Sequence, residues 1–206
     1  MLRILLTGFE PFGGEKINPS GKIVKELSRT KFEGIILTCA ILPVSYEKSI
    51  AVLQDYYSRE EFDIALHVGQ AGGNTAITIE RLAVNILDSN HPDNENVIKS
   101  DCRIIENGAD AYMTDLKVKE IVSLLKKNKI PTQLSYTAGQ YICNEVYYYS
   151  LHSSRVNQNP KHVLFIHIPF LPEQVSEKET KPVASMDLRL GRKAIKRIIE
   201  NIEKFI

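Results

Sequence analysis

Residues 1–14, MLRILLTGFEPFGG, decide the reading of the fold. Leu2 to Thr7 is a compact apolar run closed by Gly8, the pattern of a buried strand. A loop, EPFGGEKINPS, follows, and Pro19 or Ser20 then opens a helix through Leu27, with Ile23, Val24 and Leu27 on one face. The alternation continues along the chain. Gly34 to Leu42 reads as a second strand, Tyr46 to Tyr57 as a helix, and Asp63 to Val68 as a third strand stopped by Gly69. AITIERLAVNILD (76–88) is β-branched and partly alternating and reads as an extended arm, while NHPDNEN (90–96) is polar and turn-like. Leu116 to Lys127 reads as an amphipathic helix, Thr132 to Tyr136 and His162 to Ile168 as strands with the Cys143 helix between them, and Asp187 caps a last helix to Ile206. Strands that alternate with helices, several of them apolar throughout, predict an α/β domain with a mainly parallel central sheet covered on both faces.

No repeat, linker or low-complexity tract interrupts this pattern, so residues 1–206 are expected to form a single domain. The chain is 43% hydrophobic and 25% charged with a net charge of +1, which leaves no field that would favour nucleic acid or an acidic membrane surface. No apolar run has the length of a signal peptide or a membrane span, and an intracellular protein is the default expectation. Cys39, Cys102 and Cys143 cannot all pair and show no metal-ligand spacing, so neither a disulfide scaffold nor a metal site is expected.

Ligands of such sheets collect in loops beyond the carboxyl ends of the strands. Four loops qualify: Gly8 to Gly14, Gly69 to Asn74, Thr137 to Ile142, and Pro169 to Pro172. Cys143 stands where a turn becomes a helix, a position at which free amides and the helix dipole favour a thiolate. His167 ends the strand HVLFIH (162–167) and would lie at the same edge, able to take and return a proton. Glu80, in an otherwise apolar arm, could orient that imidazole. Taken on these placements alone, an inert core thiol, a histidine bonded to a backbone carbonyl and an ordinary Glu80–Arg81 pair account for the residues equally well. The GFEPFGG loop (8–14) also invites a phosphate cradle, as in a phosphate-using transferase, yet it lacks the lysine and spacing of a P-loop.

Four longer stretches, LLTGFEPFGGEKINPS (5–20), VGQAGGNTAITIERLAVN (68–85), SYTAGQYICNEVYYYS (135–150) and IHIPFLPEQV (166–175), occur in the order of the motifs of the pyroglutamyl peptidase I family. The chain resembles that family over nearly its whole length, including SMDLRLGRKAIKRIIE (185–200). The resemblance implies a three-layer α/β/α sandwich, a cytoplasmic homotetramer without metal or cofactor, and a cysteine peptidase that removes N-terminal pyroglutamate from peptides. Carried over by position, Cys143 is the nucleophile, His167 the base and acid, and Glu80 its orienter.

Pyroglutamate is a neutral lactam, so its pocket needs apolar walls and a few polar groups aimed at one N–H and one C=O. The resemblance places Phe9, Phe12, Val44, Tyr141 and Ile142 in those walls and pairs the backbone of Gln70 with the lactam, with Asn18 as a further polar contact. The chain reads DSNHPDN (88–94) where relatives commonly read DARIPDN, so Asn90 stands where an arginine near the oxyanion is expected and His91 where a pocket residue is expected. Those two positions also motivate the alternative of a homologue that binds pyroglutamyl-like ligands but turns them over poorly. Elsewhere Cys39 reads as inert core, one ring of Tyr147–Tyr149 is expected to leave the core, and Ile195, Ile198, Ile199, Ile202 and Phe205 form a packing stripe.

Overall fold

In the computed structural model, which describes residues 1–176 and 183–206, alternate residues of β1 (Leu2–Phe9) go to opposite faces of a central sheet. Ile4 and Leu6 join one core with α1 (Pro19–Leu27), and Leu5 and Phe9 join another with α2 (Tyr46–Arg59). The parity holds in β3 (Ile64–Gln70), where Ile64, Leu66 and Val68 belong to the first core and Ala65 to the second. In β8 (His162–Ile168), Leu164, Ile166 and Ile168 face the first core, and Val163 and Phe165 the second. The first core is completed by α3 (Val118–Lys127) and α6 (Leu188–Glu200), the second by α4 (Ile142–Asn157). Helices thus cover both faces of the sheet, giving three layers.

The remaining strands of the sheet are β2 (Ile35–Leu42), β4 (Ile77–Glu80) and β7 (Thr132–Ser135), and the spatial order is β2-β1-β3-β8-β4-β7. Strands β2, β1, β3 and β8 run parallel. β4 is antiparallel to β8 and parallel to β7, so β7 also runs against β8. The loop Thr137 to Ile142 therefore does not leave a carboxyl end of the parallel strands, as its sequence position suggests, but doubles back to them. From β1 the chain moves outward to β2 and then crosses to β3 on the other side, which makes the carboxyl end of β1 the switch point of the sheet.

Three boundaries differ from the sequence pattern, each for a physical reason. Strands β1 and β3 run through Gly8 and Gly69 rather than stopping there. A Cβ on Gly8 would lie 2.7 Å from the carbonyl oxygen of Ser20, so this glycine admits helix α1 against the strand. The last helix ends at Glu200, and a 3₁₀ turn over Ile202–Phe205 carries the apolar stripe on. Two short elements lack readable periodicity: β6 (Ala111–Met113), which pairs with β5 (Leu82–Val84), and α5 (Pro172–Val175). The caps follow the sequence more closely, with Asn18 accepting from Ser20 N–H and Asp187 from Arg189 N–H.

One buried polar chain crosses the second core. His67 on β3 pairs its Nδ1 with Thr7 Oγ1 at 2.7 Å and its Nε2 with Ser150 Oγ at 3.0 Å, and Ser150 Oγ meets Tyr57 Oη at 2.8 Å. Burial among neutral groups lowers the imidazole from 6.5 to about 3. Unfolding below pH 6.5 therefore takes up a proton, so the contribution of His67 is full above that value and is lost as pH falls toward 3. The loss is up to about 1.4 kcal/mol per pH unit. Urea unfolding between pH 7 and 4.5 should show a shallower stability decline in His67→Gln than in the parent; parallel declines would contradict this account.

Candidate active site

His167 belongs to the β8 parity that carries Phe165, and so faces α4, with its ring centroid 4.8 Å from that of Phe165. β4 supplies the group behind it. Antiparallel pairing sets Thr78 opposite His167 and Glu80 opposite Phe165, and the long side chain of Glu80 reaches His167 Nδ1 with Oε1 at 2.8 Å. A carboxylate oxygen accepts, so Nδ1 carries the proton and Nε2 is left for other work. Thr78 Oγ1 also donates to Glu80 Oε1 at 2.8 Å, whereas Oε2 is buried with no partner among the described residues.

Cys143 lies in the first turn of α4 and is partly exposed. A Cβ on Gly69 would lie 3.1 Å from Cys143 Sγ and 2.9 Å from the Phe165 ring, so the sulfur rests over a gap that only glycine leaves in β3. Burial by itself would lower His167, but the Cys143 sulfur, by charge and hydrogen bond, and then Glu80 raise it to about 10. The arrangement sets a cysteine sulfur and an imidazole against a buried carboxylate. The core thiol of Cys39, by contrast, is pushed up to about 11 by burial.

Two clefts meet at this dyad. The smaller is tight, with room of about 10 Å³, and is lined by Phe9, Phe12, Asn18, Val44, Gln70, Tyr141, Ile142 and Cys143. It opens at the switch point, beyond the carboxyl ends of β1, β2 and β3. Its aromatic wall is braced by Phe12 against Tyr141, centroids 6.1 Å apart, and by Tyr141 edge-on to Tyr46 at 5.6 Å. The larger cleft, about 370 Å³, lies along Asn74, Thr78, Glu80, Ser135, Gly139 and His167.

Of the residues expected around a lactam, the structure gathers all but two. Asn90 and His91 are exposed and line neither cleft. Their loop turns Asp93 and Asn94 to structural work instead. Asp93 is 4% exposed and accepts from the amides of Tyr46, Glu95 and Val97, acting as a remote cap for α2. Asn94 Nδ2 bonds Glu10 Oε1 and the carbonyl of Pro11, tying the loop to the mouth of the smaller cleft. Asn18 does line that cleft, but its Oδ1 is taken by the Ser20 amide and hydroxyl and its Nδ2 by the Glu10 carbonyl. Its main task is capping α1.

Sequence reasoning missed the supports. Asn144, next to Cys143, accepts from Val84 N–H and donates to the carbonyls of Val84 and Ile86, which clamps the arm to the start of α4. Tyr147, one turn after Cys143, donates to the carbonyl of Glu80 at 3.0 Å. Tyr147 and Tyr148 are both fully buried, and Tyr149 is the ring that partly leaves the core. Glu145 is buried two residues beyond Cys143 and raised to about 8, by burial first and by Asp93 and Glu47 next, against Ser49 and Lys99. It therefore adds little negative charge beside the sulfur at neutral pH. Among the described residues no group of His, Cys, Asp and Glu is arranged to hold a metal ion, and no helix is long and apolar enough to cross a membrane.

Known proteins share this arrangement of sheet, helices and clefts. Residues 2–204 match the family model described as pyroglutamyl peptidase. The chain is 44% identical to the pyrrolidone-carboxylate peptidase of Thermosipho africanus over 90% of each chain. It is 42% identical to that of Pyrococcus furiosus over 97% of each. The crystal structure of pyrrolidone carboxyl peptidase from Fervidobacterium islandicum AW-1 superposes with a TM-score of 0.99 at 60% identity, covering all of both chains. The chain belongs to the pyroglutamyl peptidase family.

Proposed function

We propose that the chain hydrolyses the amide bond following an N-terminal pyroglutamyl residue of a peptide, through a thioester on Cys143. The observation that carries this reading is the small apolar cleft that ends on Cys143, whose sulfur interacts with an imidazole held by a buried carboxylate. Phe9, Phe12, Val44, Tyr141 and Ile142 offer ring and alkyl surface to a neutral five-membered lactam, and Gln70 offers an amide. The cleft presents no carboxylate to an α-ammonium, which suits a substrate that has none.

The sulfur of Cys143 attacks the pyroglutamyl carbonyl carbon and forms the C–S bond. First-turn amides of α4, which lack partners within the helix, are placed to receive the developing oxyanion. As the tetrahedral species collapses the C–N bond breaks, and His167 Nε2 gives its proton to the leaving nitrogen. The shortened peptide departs along the larger cleft beside His167. A water then loses a proton to Nε2, adds to the thioester and releases pyroglutamate as the C–S bond breaks. Glu80 keeps Nδ1–H oriented and stabilises the imidazolium at each step. The contacts among Cys143, His167 and Glu80 favour turnover over a binding-only role, and the apolar rings favour a lactam over phosphate.

Turnover of a pyroglutamyl chromogenic amide, beside the glutamyl amide with a free amine, tests the reading directly. Lactam-only cleavage is expected, with Cys143→Ala losing at least about 10³-fold and keeping its Tm; cleavage that survives this substitution would sink the nucleophile assignment. Glu80→Gln should lower kcat by roughly 10². Removing the carboxylate also removes a cause that raises His167, so the basic limb of kcat/KM should move to lower pH. An unmoved limb would mean that Glu80 does not act through the imidazole.

Gly69→Ala probes the seat of the sulfur. The added methyl would press on Cys143 Sγ and the Phe165 ring, and a displacement of that kind costs up to about 10² in kcat. Unchanged kcat in a folded Gly69→Ala protein would show that the sulfur does not need that seat.

A further inference from the structure

The larger cleft runs from His167 over the far half of the sheet, and register sets which residues share its face. Thr78 stands opposite His167 on β8 and opposite Gln133 on β7, so these three form one row; Glu80 and Ser135 form the next row with Phe165. Thr78 and Glu80 are buried, Ser135 is half-buried and Gln133 is exposed. Apart from Glu80 and His167, every residue that lines this cleft is neutral. Arg81 follows Glu80 but has the parity of Ile77 and Ile79, which pack into the core on the opposite face. Among the described residues no lysine or arginine lines either cleft. Moving a proton between Cys143 and His167 leaves the combined charge of that pair at zero. The formal charge of the site is therefore that of Glu80, whose Oε2 has no donor among the described residues.

We infer that the larger cleft seats the residue that follows pyroglutamate and selects against a carboxylate there, so that neutral and basic residues are taken while acidic residues and free pyroglutamyl dipeptides are poor substrates. The inference rests on the peptidase reading of the site and deepens it. With the scissile nitrogen at His167 Nε2, the terminal carboxylate of a dipeptide lies one residue further on, about 3.4 Å along an extended chain. Neighbouring strands are about 4.8 Å apart. That carboxylate, or the acidic side chain of the same residue, therefore falls over Thr78, in the field of Glu80 and without a cation to meet it. A like charge held in a cleft that sheds its water is repelled more strongly than in solution. In a longer or amidated peptide the terminal charge lies outside the cleft or is absent.

The test measures kcat/KM at neutral pH for two matched pairs of substrates. One sets pyroglutamyl-alanine against its C-terminal amide. The other sets pyroglutamyl-glutamate against pyroglutamyl-glutamine, both amidated at the C-terminus, so that the basicity of the leaving amine hardly changes. The acid of each pair should be slower by about tenfold, which is about 1.4 kcal/mol, and pyroglutamyl-lysine amide should be at least as fast as the glutamine amide. Gln133→Lys adds a cation in the row of His167 and Thr78, at an exposed position of an edge strand, where lysine is well tolerated. It should shrink the glutamate-to-glutamine difference to about threefold or less. Equal values within either pair, or a difference that Gln133→Lys leaves unmoved, would overturn the inference. If Gln133→Lys does not fold, Ser135→Lys, in the row of Glu80, replaces it under the same criterion. Failure of the parent protein to cleave any pyroglutamyl amide is a separate result and sinks the peptidase reading itself.

Discussion

Glu80 is a carboxylate withdrawn from water, 1% exposed, and its salt-bridge partner is His167. A buried charge deprived of its partner costs several kcal/mol, so everything that fixes the distance between β4 and β8 is under constraint. The constraint is met from α4. Asn144 grips Val84 and Ile86 beyond Glu80, and Tyr147 grips the carbonyl of Glu80 itself. These residues flank Cys143 on the helix, one adjacent and one a turn away. The helix that carries Cys143 is thus the same body that holds Glu80 to His167, and the three groups cannot drift independently.

The sheet explains why a glutamate on an antiparallel strand meets His167. β8 runs parallel to β3 and brings His167 to the carboxyl edge, beside the switch point where the smaller cleft opens. β4 runs the other way, and its register puts residue 80 opposite Phe165, two residues below His167. The carboxylate must climb that diagonal to reach Nδ1, a span suited to a side chain with two methylenes. One half of the sheet therefore carries the smaller cleft and His167, while the other carries Glu80 and the wall of the larger cleft.

Much of this was legible in the sequence, because period-2 parity and helical stripes are local signals. The α/β class, the main helices and most of the cleft-lining residues follow from apolar runs and motif order. The rest depends on facts that no short window holds. The direction of β4 and β7 is set by long-range pairing, so the loop before Cys143 reads as an ordinary strand-to-helix turn. Gly8 and Gly69 look like strand terminators, although a close-packed helix and a sulfur are what require them. In DSNHPDN the substituted residues Asn90 and His91 draw attention by their chemistry, while the ones that fold inward, Asp93 and Asn94, look like turn filler. Gln174 carries no motif signal of its own; its bonds to Glu15, Ile17 and Gln70 join segments far apart in the chain.

Two histidines in one core show what burial does and does not decide. His67 and His167 lie on neighbouring strands, on the same face, and each is close to Phe165. Burial lowers both. Around His67 the partners are hydroxyls of Thr7 and Ser150, which satisfy a neutral ring at both nitrogens but bring no charge to offset the desolvation of a charged one, so the imidazole falls to about 3. Around His167 the partners are the Cys143 sulfur and the Glu80 carboxylate, whose charge and hydrogen bonds outweigh the desolvation and raise it to about 10. The difference between the two histidines therefore lies in their neighbours rather than in depth. Those neighbours come from β4 and α4, elements far from His167 in the chain, which is why the local sequence around either histidine does not distinguish them.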